Sequence, residues 1–211
     1  MKFYTFGIQR TCTNLAKATV LINFWCEYGN VNDFGHWSWK HSPDAEQATA
    51  NLNQSTPVIF CYKKPISWVE GLKKNDVDFI NKYGLAKYED YTDPELIIKN
   101  SLFSWSLPKA LDIWISFHID WIKYLHRCNY VIMRQHEMTE QPLVIDVLSK
   151  IQYRLGLVKK MPNWTIIDRY VNHGGRIEEN LYKDKEKTLS EKQVQYIQNK
   201  IPKEIIKFYE E

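Results

Sequence analysis

The segment Phe6-Gly7-Ile8-Gln9-Arg10-Thr11-Cys12-Thr13-Asn14-Leu15 carries the strongest chemical signal in the sequence. Its pattern is a strand that runs through a tight turn into a helix. Such a turn aims backbone N–H groups and the positive end of a helix dipole at one place, which favours a phosphate or sulfate. Arg10 adds a fixed charge there, and Thr11 and Thr13 add hydroxyl donors. Two later apolar runs also end in cations: Pro57 to Tyr62 leads into Lys63-Lys64, and Asn129 to Met133 leads into Arg134. Together these favour an anionic ligand held by protein cations. A magnesium-bound nucleoside triphosphate would ask instead for G-x-x-x-x-G-K-[ST] and an acidic strand end. Here Cys12 and Thr13 occupy the positions of the second Gly and the Lys, and neither strand ends in a carboxylate. The same segment also reads as an ordinary strand-to-helix connection with a threonine as N-cap.

The elements that must position these groups follow from periodicity. Lys2 to Gly7 reads as a strand and Asn14 to Trp25 as a helix. The runs Pro57–Tyr62 and Asn129–Met133 are apolar on both faces, which suits a buried parallel sheet. Between them, Pro108 to Arg127 is the longest helix, with Leu111, Trp114, Ile115, His118, Trp121, Ile122 and Leu125 on one face. His118 on that face reads as a hydrogen-bonded core histidine. A further helix runs from Pro142 to Leu155 and stops at Gly156, and the last begins at Ser190, whose spacing to Gln193 is that of a capping box. Strands alternating with helices predict an α/β layered fold, with a parallel sheet flanked by helices. At 211 residues the chain reads as a single domain, with 176–211 as a solvated helical appendage carrying eight basic and eight acidic residues.

Composition narrows the function classes. Hydrophobic residues at 44% and aromatics at 14% exclude a disordered chain. Lys plus Arg number 28 against 25 Asp plus Glu, so a net charge of +3 gives no general pull toward nucleic acid or an anionic membrane. Four cysteines without C-x-x-C or framework spacing point to reduced thiols. Charges interrupt every apolar run well short of a spanning helix, and the N-terminus lacks a signal-peptide pattern, so a cytoplasmic location is expected. The histidines form no ligand cluster, and no metal is expected.

The Gly7–Asn14 segment resembles the 5′-phosphosulfate loop of the P-loop sulfotransferases, written G-x-x-[KR]-[ST]-G-T, with Cys12 standing where the family has a glycine. Further segments match in order. Trp39-Lys40-His41-Ser42-Pro43 resembles K-T-H-L-P, and Lys63-Lys64-Pro65 resembles the R-x-P start of the 3′-phosphate motif. Gly71 stands where the family commonly has a serine, with Ser67 and Trp68 nearby. Arg134-Gln135-His136-Glu137-Met138 through Pro142 is similar to R-Y-E-D-[LM]-x-x-x-P, and Leu155-Gly156-Leu157 to F-L-G-[LV]. The matches run from Lys2 to Val158, and their order and spacing carry the resemblance, which is closest to short bacterial or viral sulfotransferase-like proteins.

The resemblance implies a three-layer sulfotransferase fold and sulfuryl transfer from 3′-phosphoadenosine 5′-phosphosulfate (PAPS), with 3′-phosphoadenosine 5′-phosphate (PAP) as product and no metal required. It implies that Gln9, Arg10, Thr11, Cys12, Thr13 and Asn14 cradle the phosphosulfate. Lys63, Ser67, Trp68, Gly71, Arg134 and Arg176 would hold the rest of the cofactor, with Trp68 stacking on adenine. Arg10 would face the leaving phosphate, His41 would be the general base, and Glu27 is the second candidate for that role. The acceptor would be a small molecule, a carbohydrate or a peptide. Two other readings stand beside it: a P-loop nucleotide or small-molecule kinase, and a PAPS- or PAP-binding relative without turnover.

Overall fold

The structure, a computed structural model, describes residues 1–29, 41–73, 77–87, 93–99, 104–167, 169–171, 177–181 and 188–210, without side chains at 141, 169–171 and 177–181. The first half contains β1 (Lys2–Phe6), α1 (Thr13–Asn23), β2 (Glu27–Tyr28), α2 (Ala45–Thr49), β3 (Pro57–Tyr62), α3 (Pro65–Lys73) and α4 (Val77–Lys82). Then follow β4 (Ile97–Lys99), β5 (Ser104–Ser106), α5 (Leu107–Tyr124), β6 (Asn129–Arg134) and α6 (Gln141–Leu155). The chain ends with β7 (Arg169–Val171), β8 (Ile177–Leu181), α7 (Glu191–Lys200) and α8 (Lys203–Glu210). Read from sequence as one domain with an appendage, the chain divides into two compact units: Met1–Lys63 with Asp120–Asp184, and Lys64–Ile119 with Lys185–Glu211.

The first unit is α/β. Its sheet has the order β2-β1-β3-β6, and every pair is parallel. All six residues of β3 are buried, as an interior strand with both faces covered requires. On one face Phe3, Ile59, Cys61, Val131 and Met133 cluster with Leu15, Ala16 and Val20 of α1 and with Val144, Val147, Leu148 and Ile151 of α6. On the other, Phe6 and Phe60 pack against Trp121, with ring centroids 4.7 and 5.2 Å away. Each large apolar side chain so buried stabilises the fold by about 1.5–3 kcal/mol. The helix α6 stops at Gly156, whose φ of 65° is the left-handed conformation that glycine adopts without strain.

Strand order fixes where the chain opens. After β1 the chain moves to one side to form β2, then crosses to the other side to form β3. The direction of winding therefore reverses between β1 and β3, and ligands of open α/β sheets bind beyond the carboxyl ends of the strands at such a point. The register brings those ends together, with Phe6 beside Phe60 and Tyr62 beside Arg134.

The second unit is mainly helical, with β4 and β5 as an antiparallel pair. Trp68, Phe79, Trp105, Leu111, Trp114, Ile197 and Tyr209 are almost fully buried in it. The carboxylate of Glu70 on α3 accepts three hydrogen bonds from the segment that leads into α7: Thr188 N–H at 2.7 Å, Thr188 Oγ1 at 2.6 Å and Leu189 N–H at 2.9 Å. The expected capping box is present, with Ser190 Oγ accepting from Gln193 N–H and Gln193 Oε1 accepting from Ser190 N–H. His118 is a core residue: its Nδ1 lies 2.7 Å from the Trp114 carbonyl, and burial pushes its pKa down to about 3. The tail differs from expectation. It carries β8 as well as helices, and Ile197, Ile205 and Tyr209 are buried. Its high charge masks a narrow apolar stripe, of which Ile205 and Tyr209, four residues apart, are one turn.

Candidate functional site

The turn after β1 is shaped by one glycine and two strained residues. A Cβ on Gly7 would lie 2.5 Å from Thr11 Oγ1 and 2.6 Å from the Cys61 carbonyl oxygen, so only glycine lets the end of β1 lie this close to β3. Thr11 closes the turn on Ile8, whose carbonyl accepts both the Thr11 N–H (3.2 Å) and the Thr11 hydroxyl (2.6 Å). That hydroxyl is buried and its proton is held inside the turn, so Thr11 shapes the loop where an outward donor was expected. Arg10 (φ 71°) and Cys12 (φ 64°) are both left-handed, a conformation that costs a residue with a Cβ about 1–2 kcal/mol. Cys12, not a threonine, is the N-cap of α1. Its side chain makes no capping bond, and the first turn of the helix contains no acidic residue. Nothing from either source offsets the positive end of α1. Thr13 is buried, and Gln9, Arg10, Cys12 and Asn14 are partly exposed around the turn.

His41 is joined to this turn. Its Nδ1 lies 2.7 Å from the Gly7 carbonyl oxygen. A carbonyl can only accept, so the bond requires the proton on Nδ1, and in the neutral ring Nε2 then carries the lone pair. That is the tautomer a general base acting at Nε2 needs. The backbone around His41 is fixed from one side of the fold: the Ser42 carbonyl accepts from Trp121 Nε1 (3.2 Å), and Ala45 N–H donates to Asp120 Oδ2 (2.8 Å). Asp44 caps α2 by accepting from Gln47 N–H at 2.9 Å. The anchors from Trp121 and Asp120 could not be found from local sequence, because those residues are more than seventy positions away in the chain.

The neighbouring strand ends are less uniform than the sequence indicated. Lys63, directly after β3, is 5% exposed, a cation enclosed beside the β1/β3 switch point. Arg134, at the end of β6, is not an open cation. Its Nη1 lies 2.7 Å from Glu137 Oε1, and its backbone N–H donates to Glu137 Oε2 at 2.8 Å. Glu137 is itself buried and cancels the charge locally. Gln135 N–H then donates to the Tyr62 carbonyl at 2.9 Å, continuing the β3–β6 pairing past the strands.

Of the other expected residues, Glu27 lies away from the turn. Glu27 is exposed and pairs in register with Lys2, at the amino end of β1. Gly7 is at the other end, about 15 Å away along the strand. The second base candidate therefore lies at the wrong edge of the sheet. In the second unit, Trp68 has no exposed surface and meets Phe79 edge-on at 5.6 Å, so its ring is a core side chain and offers no face to adenine. Gly71 is buried in α3, and Ser67 is exposed in its first turn. Arg176 lies outside the described residues, as do Trp39 and Lys40. Among the described residues no group of three His, Cys, Asp or Glu side chains could hold a metal ion, and no helix is long and apolar enough to cross a membrane. None of the four cysteines is in a disulfide, and burial pushes Cys128 up to about 12. The chain matches no family model, no curated protein and no solved structure.

Proposed function

We propose that this chain is a PAPS-dependent sulfotransferase of the P-loop type, moving a sulfuryl group to a hydroxyl or amine of a small molecule, carbohydrate or peptide. The observation that carries the reading is the turn from Gly7 to Asn14 at the β1/β3 switch point. It has left-handed backbone at Cys12, where the resembled loop has a glycine, and His41 is hydrogen-bonded to its first residue. The donor set fits an anionic group. Arg10 is in the turn, Lys63 is enclosed at the adjacent strand end, and no carboxylate occupies the first turn of α1.

PAPS, when bound, supplies a sulfur–oxygen bond whose phosphate side is a good leaving group. The chain's own residues do the rest by placement and charge, as expected for transfer through a loose transition state. His41 Nε2 would take the proton of the acceptor hydroxyl, and Arg10 and the first amides of α1 would hold the cofactor's phosphate and stabilise the negative charge it gains as the leaving group. Gly7 and Thr11 hold the turn closed, and Lys63 adds positive potential beside it. Arg134 acts through its pair with Glu137 to fix the end of β6.

The test is a thermal-shift comparison without magnesium. PAP is expected to raise the melting temperature more than ATP does, and Arg10→Ala to remove most of that shift. His41→Ala is expected to keep the PAP shift while transfer falls by about 10²–10⁴-fold. Equal or absent shifts for PAP and ATP would overturn the cofactor assignment, and a shift seen only with magnesium and ATP would favour a kinase. A PAP shift with no transfer to any of a broad acceptor panel would leave a binding protein without turnover.

A further inference from the structure

A cavity of about 710 Å³ lies entirely within the second unit, in the volume range of small-molecule sites. Its apolar lining comes from Pro65 and Ile66 at the start of α3, Ile197 on α7, Ile201 and Ile206. Its charged lining is Lys64, Lys203 and Lys207 against Glu204 and Glu210, of which Lys64 and Glu210 pair at 3.2 Å. The helix α8 explains the combination. Ile205 and Tyr209 are buried, whereas Lys203, Ile206, Lys207 and Glu210 line the cavity at helical spacing of three and four. An isoleucine is thereby set between two lysines on one face. Apolar walls would bury a hydrocarbon or aryl body, and the excess of lysine favours a negative head over a positive one. The amino end of α3 adds positive potential on the same side.

We propose that this cavity binds a small amphiphile with an apolar body and a single anionic head, held by the isoleucine walls and by Lys203 and Lys207. Ser67, which the resemblance assigns to the cofactor, also lines the cavity, but none of the Gly7 turn, His41 or Lys63 does, so the inference does not rest on the sulfotransferase reading.

Calorimetric titration of the full chain with decanoate, decanol and decyltrimethylammonium, each below its micellar concentration, tests it. Decanoate is expected to bind saturably and more tightly than the other two. The double variant Lys203→Glu/Lys207→Glu changes only exposed side chains, and it is expected to weaken decanoate about tenfold or more while leaving decanol within about twofold. Ile206→Trp, which fills the cavity, is expected to weaken both. The thermal shift given by PAP should be unchanged in the charge-reversed variant, so the two readings fail separately. Absence of saturable decanoate binding overturns the proposal. So does tighter binding of the ammonium probe, or undiminished decanoate affinity in the charge-reversed variant.

Discussion

Cys12 shows how much a single backbone angle can report. A cysteine at φ 64° is strained by contact between its Cβ and the following carbonyl, and Arg10 repeats the strain two residues earlier. Two such residues in one turn persist only where surrounding bonds over-determine the conformation. Here those bonds are the Thr11–Ile8 closure and the seating of Gly7 against Cys61. Replacing Cys12 with glycine removes the Cβ clash but adds freedom to the unfolded chain, worth about 0.5–1 kcal/mol in the other direction. The expected net result of Cys12→Gly is a stabilisation of up to about 1 kcal/mol, read as a higher urea midpoint at unchanged slope. A clear destabilisation would mean that the cysteine side chain contributes more than its strain costs. At this scale the sequence made the turn legible through Gly7, Arg10 and the threonines, but not the direction of the Thr11 hydroxyl. That direction is set by which carbonyl the turn brings within reach.

Strand and helix ends decide which of the expected groups meet. The short 3₁₀ turn His136–Met138 after β6 places Glu137 so that both its oxygens return to Arg134, one on the guanidinium and one on the backbone N–H. With side chains 17% and 9% exposed, this is close to a buried pair, and removing one partner of such a pair leaves the other charge uncompensated. Glu137→Ala is expected to lower stability by about 3 kcal/mol, measured by urea unfolding, whereas Arg127→Ala, at an exposed pair with Glu46, should change it by less than about 1 kcal/mol. A loss below about 1 kcal/mol for Glu137→Ala would refute the structural role. The long elements were legible because their signal is dense. Continuous apolar runs marked β3 and β6, and helical periodicity marked α5 and α6. The two-residue β2 and the three-residue β4 and β5 are too short to carry a pattern. The position of Glu27 could have been inferred. A helix following a strand runs back along the sheet, so a residue just beyond α1 must emerge at the amino edge of a parallel sheet, opposite the Gly7 turn.

For the chain as a whole, charge is nearly balanced at the surface, and the described ion pairs Lys192–Asp93, Lys192–Glu95 and Lys200–Asp112 are exposed. Such pairs contribute little to stability. Asp93, held below its ordinary value by its bonds to Lys192 and Glu95, loses that contribution only as pH falls below the usual carboxylate range. His118 acts in a different window. Trp114, Phe117 and Tyr209 surround its ring, and burial lowers its pKa from 6.5 to about 3. Between those values the unfolded chain binds a proton at His118 and the folded chain does not. The unfolded state is therefore favoured as pH falls, and the slope is at most about 1.4 kcal/mol per pH unit for one group. Stability should be insensitive to His118 above pH 6.5 and should decline below it, before the carboxylates begin to titrate. Urea unfolding of the native chain and of His118→Leu, from pH 8 to pH 5, isolates the effect. The leucine variant is expected to lose less stability on acidification, so that the difference between the two curves is flat above 6.5 and bends below it. Parallel curves across the whole range would show that His118 takes up its proton as readily in the folded as in the unfolded chain, and that its site is more polar than the rings around it allow.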